Sequence, residues 1–390
     1  MPSFDAIWEE ELARRRAAGR LRTLRATARL PGGRIRVDGR ILVDLSSNDY
    51  LGLAGHPALA EGAARCAEQW GAGAGASRLV TGNLEPLEAL EAKIARAKGS
   101  EAALVLTSGW QANASILAAI LDRRTLPGEP LVFADELNHA SMRHGCRAAR
   151  ARVLAYRHLD LDHLAELLEE NASWTGPKFI LTETVFSMDG DRADVSALAD
   201  LAARHGAFLY LDEAHATGIL GPDGYGLATG LACEGMVVGT FSKALGSFGA
   251  YVACSKTLRD FLINRCSGIV YSTALPPPVL GAIDAAWDLV PTLEKKRERL
   301  HANAERLRRG IADLGLSFGN STTPIVPLLL GDDARAMRLG RTLEEAGFLA
   351  VPIRPPTVPE GTSRIRFSIR ADHREDDLDR VIEILAAARA

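Results

Sequence analysis

Apolar runs alternate with helical patterns from about residue 57 to residue 285, and each run is bounded by polar or glycine-containing segments. Short apolar runs separated by helix-length segments are typical of parallel strands that form a sheet with helices on both faces. We therefore predict an α/β domain with a mostly parallel sheet over residues 51–285. The runs expected to form its strands are Ala103–Leu106, Leu131–Phe133, Phe179–Thr182, Phe208–Leu211, Met236–Val238 and Ala250–Ala253.

The two ends of the chain carry other patterns. Residues 1–25 predict an amphipathic helix, and glycine turns then frame short strands that end near Ile41–Val43. The arginines expected on one face of that helix are Arg14, Arg15, Arg16, Arg20 and Arg22. Prolines at positions 276–278 precede a long charged helix, expected from Ile283 to about Leu314.

The last part of the chain predicts a smaller α+β domain, so we divide the chain into residues 1–50, 51–285 and 286–390. Strands and helices both contribute to this C-terminal segment, because short apolar runs and longer amphipathic patterns follow one another. Its predicted strands are Ile325–Leu330 and Arg364–Ile369, and its predicted helices are Ala334–Ala346 and Glu375–Ala388.

The composition narrows the class of protein. The chain has 390 residues, 47% of them hydrophobic, and a net charge of −3, which gives no electrostatic reason to expect a nucleic-acid or membrane partner. Its five cysteines have no C-x-x-C spacing, so we expect free thiols rather than disulfides or a metal site. Since the N-terminus lacks the features of a signal peptide and no apolar run could span a membrane, we expect a cytoplasmic protein.

A lysine and a carboxylate follow two of the predicted strands. Lys243 comes shortly after the run Met236–Val238, and Asp212 directly follows the run Phe208–Leu211. Ligands of open α/β sheets bind at the carboxyl ends of the strands, so these two side chains are placed to meet in one crevice. Catalysis by pyridoxal phosphate (PLP) needs this pair, because the lysine forms a Schiff base and the carboxylate keeps the pyridine nitrogen protonated.

The segment after the first predicted strand suits the phosphate of such a cofactor. Ser108-Gly109-Trp110 opens an apolar helix there, and the free N–H groups of a first helical turn bind anions. We expect Trp110 to contribute a backbone contact rather than its indole. Thr240 and Ser242 stand beside the lysine and can add hydroxyl donors. Alone, the Ser-Gly pair would indicate only a strand–helix turn, and the nearby lysine favours the phosphate interpretation.

Four more polar residues follow predicted strands. His139 is placed to stack on a cofactor ring and to hydrogen-bond a substrate carboxylate, although a single histidine at a helix start is more often structural. Ser187 is placed to contact the oxygen of the ring, and His215 projects near the crevice that Asp212 enters. Asp189, which precedes a glycine, indicates a turn.

These motifs together resemble the α-oxoamine synthases, PLP enzymes of fold type I, over about residues 5–388. The resemblance implies an aspartate aminotransferase-like large domain with a mostly parallel seven-stranded sheet, a smaller C-terminal α+β domain and an N-terminal helical segment. Members of the family condense an amino acid with an acyl-CoA. The carboxylate of the amino acid is then lost as CO2 or kept in a following step. The matching motifs are Ser46–Leu53, Ser77–Gly82, Phe186–Gly190, Asp212–Gly218 and Thr240–Lys243.

The resemblance implies a role for each matching residue around the cofactor ring. Lys243 is the implied Schiff-base lysine and Asp212 the implied partner of the pyridine nitrogen, and with His139, which stacks on the ring, they form the expected catalytic set. His215 and Ser187 are the implied contacts of the ring oxygen.

Phosphate and substrate contacts follow from the same resemblance. Thr273 matches a position that reaches the phosphate of a neighbouring subunit, which implies a homodimer with shared active sites. The residues expected at the phosphate within one subunit are Ser108, Gly109, Trp110 and Thr240. The residues expected at the substrate are Arg22, His139, Arg354 and Thr357.

The stretch Val351–Thr362 narrows the substrate within the family. It is similar to the corresponding stretch of members that join L-alanine to a pimeloyl thioester, either pimeloyl-CoA or a pimeloyl carrier protein, in biotin synthesis. A member that uses glycine or serine stays open, and so, more remotely, does a non-catalytic partner subunit. The chain departs from the family's motifs at Leu87, where a histidine is common, and at Leu159, where an asparagine is common.

Overall fold

The structure is a computed structural model that describes residues 3–389. Its helices are α1 (Phe4–Ala17), α2 (Pro57–Trp70), α3 (Glu85–Lys98), α4 (Gly109–Ile120), α5 (Ala140–Ala149), α6 (Leu161–Glu170), α7 (Val195–His205), α8 (Lys256–Arg265), α9 (Ser267–Val270), α10 (Pro277–Leu289), α11 (Glu294–Asp313), α12 (Asp333–Glu345) and α13 (Glu375–Arg389). Its strands are β1 (Thr27–Leu30), β2 (Arg34–Val37), β3 (Arg40–Asp44), β4 (Ala102–Leu106), β5 (Leu131–Asp135), β6 (Arg152–Tyr156), β7 (Lys178–Glu183), β8 (Ala207–Asp212), β9 (Gly235–Thr240), β10 (Ala250–Cys254), β11 (Ile325–Gly331), β12 (Phe348–Leu349), β13 (Pro352–Ile353) and β14 (Ser363–Ser368).

The chain forms two compact units. The larger unit contains Asp49–Ser187 and Asp191–Arg297, and the smaller unit contains the residues up to Asn48, Met188–Gly190 and the residues from Glu298 onward. The division of the chain at residues 50 and 285 stays a prediction. Within the part of the chain that the structure describes, no helix is both long and apolar enough to cross a membrane.

The larger unit is built on a seven-stranded sheet with the strand order β4-β10-β9-β8-β7-β5-β6. β10 runs antiparallel to both of its neighbours and the other strands are parallel, so the predicted α/β class and the mostly parallel sheet are confirmed. Successive side chains of a strand point to opposite faces of a sheet. In β5, Val132 packs on one face with Ile116 of α4, and Phe133 packs on the other face with Leu164 of α6.

One strand of this sheet has no counterpart among the apolar runs of the sequence. β6 forms the outer edge next to β5, and only Tyr156 of its five residues is buried. An edge strand does not have to be buried on both faces. Its sequence therefore lacks the continuous apolar run that marks a strand buried on both faces.

Two helix predictions were wrong in their extent. The N-terminal helix ends at Ala17 rather than near residue 25, because Gly19 adopts a left-handed conformation with φ of 65°, and none of the residues of α1 is buried. The long charged helix is two helices, α10 and α11. They are separated at Val290–Thr292, where Pro291 supplies no backbone N–H and interrupts the helical hydrogen bonds.

The smaller unit contains two further sheets. One has the order β1-β2-β3-β12, and the other has the order β11-β14-β13. β11 and β14 pair antiparallel, with Ile325 opposite Ser368, and α12 and α13 follow these strands as the sequence predicted. The predicted C-terminal strands and helices therefore form within one or two residues of their expected bounds.

A buried ion pair joins α3 to the segment after β8. Both Lys98 and Glu213 have fully buried side chains, and the ammonium group donates a hydrogen bond to the carboxylate. The ammonium also donates to the carbonyl oxygen of Tyr225 at 2.7 Å, and the carboxylate accepts the N–H of Ala228 at 2.8 Å. Since each charge depends on the other for compensation, loss of one partner leaves an unpaired charge in the protein interior.

We predict that Lys98→Met lowers the free energy of unfolding by about 3–5 kcal/mol, because it leaves the carboxylate of Glu213 buried and unpaired. The double variant Lys98→Met/Glu213→Gln should recover most of this loss, since the amide carries no charge and still accepts the N–H of Ala228. Urea unfolding followed by circular dichroism measures both effects.

Lys93 on the same helix gives a matched control. Its partners Asp284 and Asp288 have side chains that are 50% and 64% exposed, so Lys93→Met should change the free energy of unfolding by less than about 1 kcal/mol. An equal loss in Lys93→Met and Lys98→Met, or a double variant no more stable than Lys98→Met, would contradict the prediction.

Candidate active site

Three neighbouring parallel strands of the larger unit end in carboxylates. Asp135 ends β5, Glu183 ends β7 and Asp212 ends β8, and all three side chains are buried. Glu183 and Asp212 stand directly opposite each other in the register of the two strands. Lys243 follows the next strand, β9, and is half-buried. The structure thus brings the predicted lysine and carboxylate to the same edge of the sheet.

Asp212 is held by two donors. Its Oδ1 atom accepts the N–H of Ala214 at 2.8 Å, and its Oδ2 atom accepts the side-chain amide of Asn113 at 2.6 Å. The charges of Asp212 and Lys243 both act on His139 and on Glu183, so these four groups lie close enough to influence one another. The sequence predicted Asp212, Lys243 and His139 for this site, but it did not single out Glu183.

His139 caps the N-terminus of α5 and keeps its ring exposed. Its Nδ1 atom lies 2.6 Å from the hydroxyl of Ser141, and its backbone N–H donates to Glu183 at 2.6 Å. The surrounding protein and the positive charge of Lys243 lower the pKa of His139, although Asp212 opposes them. A neutral imidazole that is anchored at its Nδ1 atom and belongs to an exposed residue can stack on a flat ligand.

The carboxyl group of Glu183 is a weaker acid than usual, because its pKa is raised. Complete burial, and next the negative charge of Asp212, raise the pKa of Glu183 to about 8, against the opposing effects of Lys243 and of the N–H of His139. The group is therefore mostly uncharged at neutral pH. Its neutrality limits the negative charge that has to be balanced beside Asp212.

The segment after β4 that was predicted to bind an anion is the first turn of α4. Ser108 caps this helix by accepting the N–H of Gln111 at 3.2 Å. Among the residues that the structure describes, the N–H groups of Gly109 and Trp110 have no hydrogen-bond acceptor. A helix start with free N–H groups favours an anion such as phosphate.

Thr240 faces the same turn from the end of β9. A Cβ atom added to Gly109 would lie 3.8 Å from the Cβ atom of Thr240, so only a small gap separates the two segments. The hydroxyl of Thr240 is 2.7 Å from that of Ser242, which stands next to Lys243. The indole of Trp110 is exposed and packs against the ring of His144 at 4.9 Å.

The remaining predicted contacts of the cofactor lie in the larger unit. His215 is buried, and its Nδ1 atom lies 2.8 Å from the hydroxyl of Tyr50. Ser187 is half-buried and follows β7. Thr273 is exposed, and its backbone pairs with Ser77. The ligand contacts implied for these three residues stay predictions.

The predicted substrate residues of the smaller unit lie together. The guanidinium of Arg22 donates to the hydroxyl of Thr357 at 2.9 Å, and the guanidinium of Arg354 donates to the carbonyl oxygen of Gly19. Their role at the substrate stays a prediction.

Asp189, which was predicted only as part of a turn, also forms an ion pair with the buried Arg364 at 2.5 Å, and the sequence did not indicate this pair.

His158 binds two carboxylates at this edge of the sheet. Its Nδ1 atom lies 3.0 Å from Asp135 and its Nε2 atom lies 3.0 Å from Asp191. Burial alone would lower the pKa of His158, but the hydrogen bonds and charges of the two aspartates outweigh it and raise that pKa to about 10. The next residue, Leu159, has a φ of 56°, a conformation that asparagine adopts more readily than leucine.

The residues present fit PLP. Free N–H groups and hydroxyls gather where a phosphate would bind, and the charges of Asp212 and Lys243 both act on the exposed His139. This set offers an anion site, an amine and a carboxylate, which are the three groups that the phosphate, the aldehyde and the pyridine nitrogen of PLP require. Fold and site together define a PLP enzyme of fold type I.

Comparison with known proteins agrees with this class. The family Aminotransferase class I and II matches residues 40–385. A Bordetella pertussis protein with the provisional name 8-amino-7-oxononanoate synthase is 60% identical over 392 residues, covering 99% of this chain and 98% of that protein. The 8-amino-7-oxononanoate synthase of Gluconacetobacter diazotrophicus is 55% identical over 356 residues, covering 91% and 89%.

Solved structures share the fold. A variant serine palmitoyltransferase from S. paucimobilis with a bound PLP–myriocin aldimine has a TM-score of 0.89 at 27% identity, over 98% of this chain and 96% of that one. The 8-amino-7-oxononanoate synthase from Francisella tularensis has a TM-score of 0.76 at 25% identity, over 89% and 97%. The chain belongs to the aminotransferase class I and II family and, within it, to the α-oxoamine synthases that include the 8-amino-7-oxononanoate synthases.

We predict that the stabilisation contributed by His158 is lost as the pH rises. Because its pKa is about 10 in the folded state, above the ordinary value near 6.5, the contribution is complete below about pH 6.5 and is lost as the pH passes through about 10. Unfolding by urea between pH 6 and pH 11 should therefore show wild type exceeding His158→Gln most at pH 6 and least at pH 11. A difference that stays constant with pH would contradict a charged His158.

Proposed function

We propose that this protein catalyses the decarboxylative condensation of L-alanine with a pimeloyl thioester, forming 8-amino-7-oxononanoate for biotin synthesis. CoA, or a carrier protein, and CO2 are the other products. The proposal rests chiefly on relatives of that name that are 55–60% identical over nearly the whole chain. The arrangement of Lys243, Asp212 and His139 at one edge of the sheet supplies the groups that such a reaction uses.

The side chains at the site divide the work. Bound PLP supplies an aldehyde that joins to amines and a ring that accepts an electron pair. Lys243 would hold the bound cofactor through its amine, and the same amine would take the proton from the α-carbon of L-alanine. Asp212 keeps the pyridine nitrogen protonated, which makes withdrawal of electrons from the α-carbon favourable.

His139, His215 and Ser187 orient the reacting groups. The exposed ring of His139 stacks on the cofactor and meets the carboxylate of the amino acid, and its lowered pKa keeps it neutral when it does so. His215 and Ser187 would form hydrogen bonds with the ring oxygen of the cofactor. Backbone N–H groups of Gly109 and Trp110, with the capping residue Ser108 and the hydroxyl of Thr240, hold the phosphate. Fixing both ends of the cofactor keeps the α-carbon of the substrate within reach of Lys243.

The bond-making steps use the same groups in turn. The α-carbon, once Lys243 has taken its proton, attacks the carbonyl carbon of the thioester, and the thiolate leaves as CoA or carrier. The resulting β-keto acid loses its carboxylate as CO2, and a proton returned by Lys243 completes the product. Arg22, Arg354 and Thr357 stay predicted contacts of the substrate, on the strength of the sequence resemblance alone.

The proposal includes the assembly and the compartment. We infer a homodimer with shared active sites, in which the exposed Thr273 of each subunit serves the phosphate of the other. We also infer residence in the cytoplasm. The thiols of all five cysteines are free within the described chain, which agrees with a reducing compartment.

One observation favours a second candidate within the family. A serine palmitoyltransferase matches this fold at a TM-score of 0.89, whereas an 8-amino-7-oxononanoate synthase matches at 0.76. Both structures are only 25–27% identical to this chain, so they report the fold more than the substrate. Identity of 55–60% to the named relatives carries more weight, and we keep serine or glycine as the alternative amino acid. A non-catalytic role disagrees with the presence of Lys243, Asp212 and His139.

We predict that L-alanine with pimeloyl-CoA is the preferred pair in a matrix of amino acids and acyl thioesters. L-alanine, glycine and L-serine are each combined with acetyl-, succinyl-, pimeloyl- and palmitoyl-CoA, and both thiol release and product mass are measured. Pimeloyl carrier protein is added as a separate donor. Faster turnover of glycine or serine, or of another thioester, would replace the proposed substrates by that pair.

We predict that Lys243→Ala abolishes turnover and removes the visible absorption band that PLP shows when it is joined to a lysine. Turnover should fall at least about 10³-fold, because one residue supplies both the attachment and the proton transfer. Lys243→Arg should fail equally, since it keeps the charge but not a reactive amine. The exposed Lys256 gives the control, and Lys256→Ala should retain the band and the rate. Full activity in Lys243→Ala would contradict the assignment.

A further inference from the structure

Asn113 is buried in the second turn of α4 and uses its whole side-chain amide for hydrogen bonds. Its Nδ2 group donates to Asp212 at 2.6 Å and to Ser141 at 3.0 Å, and its Oδ1 atom accepts the hydroxyl of Tyr210 at 2.7 Å. An amide turned by 180° would set its oxygen against the carboxylate of Asp212. The orientation of the amide is therefore fixed by its partners.

The hydrogen bonds continue from Asn113 to His139. The hydroxyl of Ser141, which accepts from Asn113, lies 2.6 Å from the Nδ1 atom of His139. Asn113, Ser141, Tyr210 and Asp212 are all buried, so water cannot replace a missing partner without a cost in free energy. One amide thus connects the carboxylate at the end of β8 with the imidazole at the start of α5.

We propose that Asn113 is a positioning residue of the PLP site, which holds the carboxylate of Asp212 ionised and oriented toward the pyridine nitrogen and, through Ser141, fixes the ring of His139. The inference rests on the proposed roles of Asp212 and His139. Asn113 itself needs no contact with substrate or cofactor, because it acts on the two side chains that have one.

The charges around Asp212 explain why an amide suits this position. A donor with no charge stabilises an ionised carboxylate without adding to the crowded charges of the site. The titratable groups that face Asp212 come from every neighbouring element. They are Glu183 at the end of β7, Lys243 after β9, His139 before α5, Tyr210 within β8 and Tyr251 within β10.

The test compares Asn113→Asp with wild type as holoenzyme. The visible absorption of bound PLP is titrated with pH in the absence of substrate, and the dissociation constant of PLP, kcat and KM are measured separately. Two carboxyl groups within hydrogen-bonding distance share a proton, so we expect the midpoint of the titration to move by about one pH unit or more. We expect kcat to fall about 10- to 100-fold, with a smaller change in the KM of the thioester.

Further variants separate the two arms of the hydrogen-bond network. One arm runs from Asn113 to Asp212, and the other runs from Asn113 through Ser141 to His139. Ser141→Ala breaks only the arm to His139 and should lower kcat with little movement of the titration midpoint. Asn113→Ser, whose hydroxyl is too short to reach both partners, should impair both arms. In the double variant Asn113→Ser/Ser141→Ala, the loss due to Ser141→Ala should be at least about threefold smaller than in wild type, because the connection is already broken.

Ser115 supplies the matched control. It is buried on the same helix, but it donates to the carbonyl of Gln111 and accepts from Cys266, outside the network. Ser115→Ala should leave the titration midpoint and kcat unchanged. A folded Asn113→Asp or Asn113→Ser enzyme with the midpoint and kcat of wild type would overturn the inference, and so would an equal shift in Ser115→Ala.

The spectral arm of the test is independent of the substrate. If wild type binds PLP but does not turn over L-alanine with a pimeloyl thioester, the proposed function fails while the titration still decides the role of Asn113. If Asn113→Asp does not fold, as judged by its thermal unfolding, Asn113→Ser and Ser141→Ala carry the decision.

Discussion

The crowding of three buried carboxylates at one edge of a sheet is the constraint that organises this site. Asp135, Glu183 and Asp212 end neighbouring parallel strands, so the register of the sheet itself brings them together. Unpaired ionised groups in a protein interior are strongly unfavourable. Each carboxylate therefore has to be compensated, and each one is compensated differently.

The three carboxylates have three different sets of partners. Asp135 is matched by His158, whose positive charge it shares with Asp191. Glu183 stays mostly uncharged and accepts a backbone N–H. Asp212 receives two uncharged donors, the N–H of Ala214 and the side-chain amide of Asn113, and its charge acts on His139 together with that of Lys243. Of the three carboxylates, Asp212 is the one that we propose for the chemistry.

Local sequence predicted the parts of the site that follow directly from strand ends. Lys243, Asp212 and the Ser108-Gly109 turn were found because apolar runs mark buried strands and ligands bind at their carboxyl ends. Asn113 was not found, since a single asparagine within an apolar helix has no local pattern that reveals which distant groups it meets. β6 was missed because an edge strand needs no continuous apolar run, and the break between α10 and α11 shows how one proline at position 291 divides a long helical pattern.

The first two turns of α4 fix the spacing between the predicted phosphate site and the carboxylate of Asp212. Gly109 begins the helix with a free N–H group, and Asn113 holds Asp212 four residues later. Four residues of an α-helix rise about 6 Å, a distance that backbone hydrogen bonds keep nearly constant. The predicted anion site and the carboxylate proposed to contact the ring are thereby held by one helix. A vitamer that lacks the phosphate, or whose ring nitrogen lies elsewhere, would fit only one of these two groups.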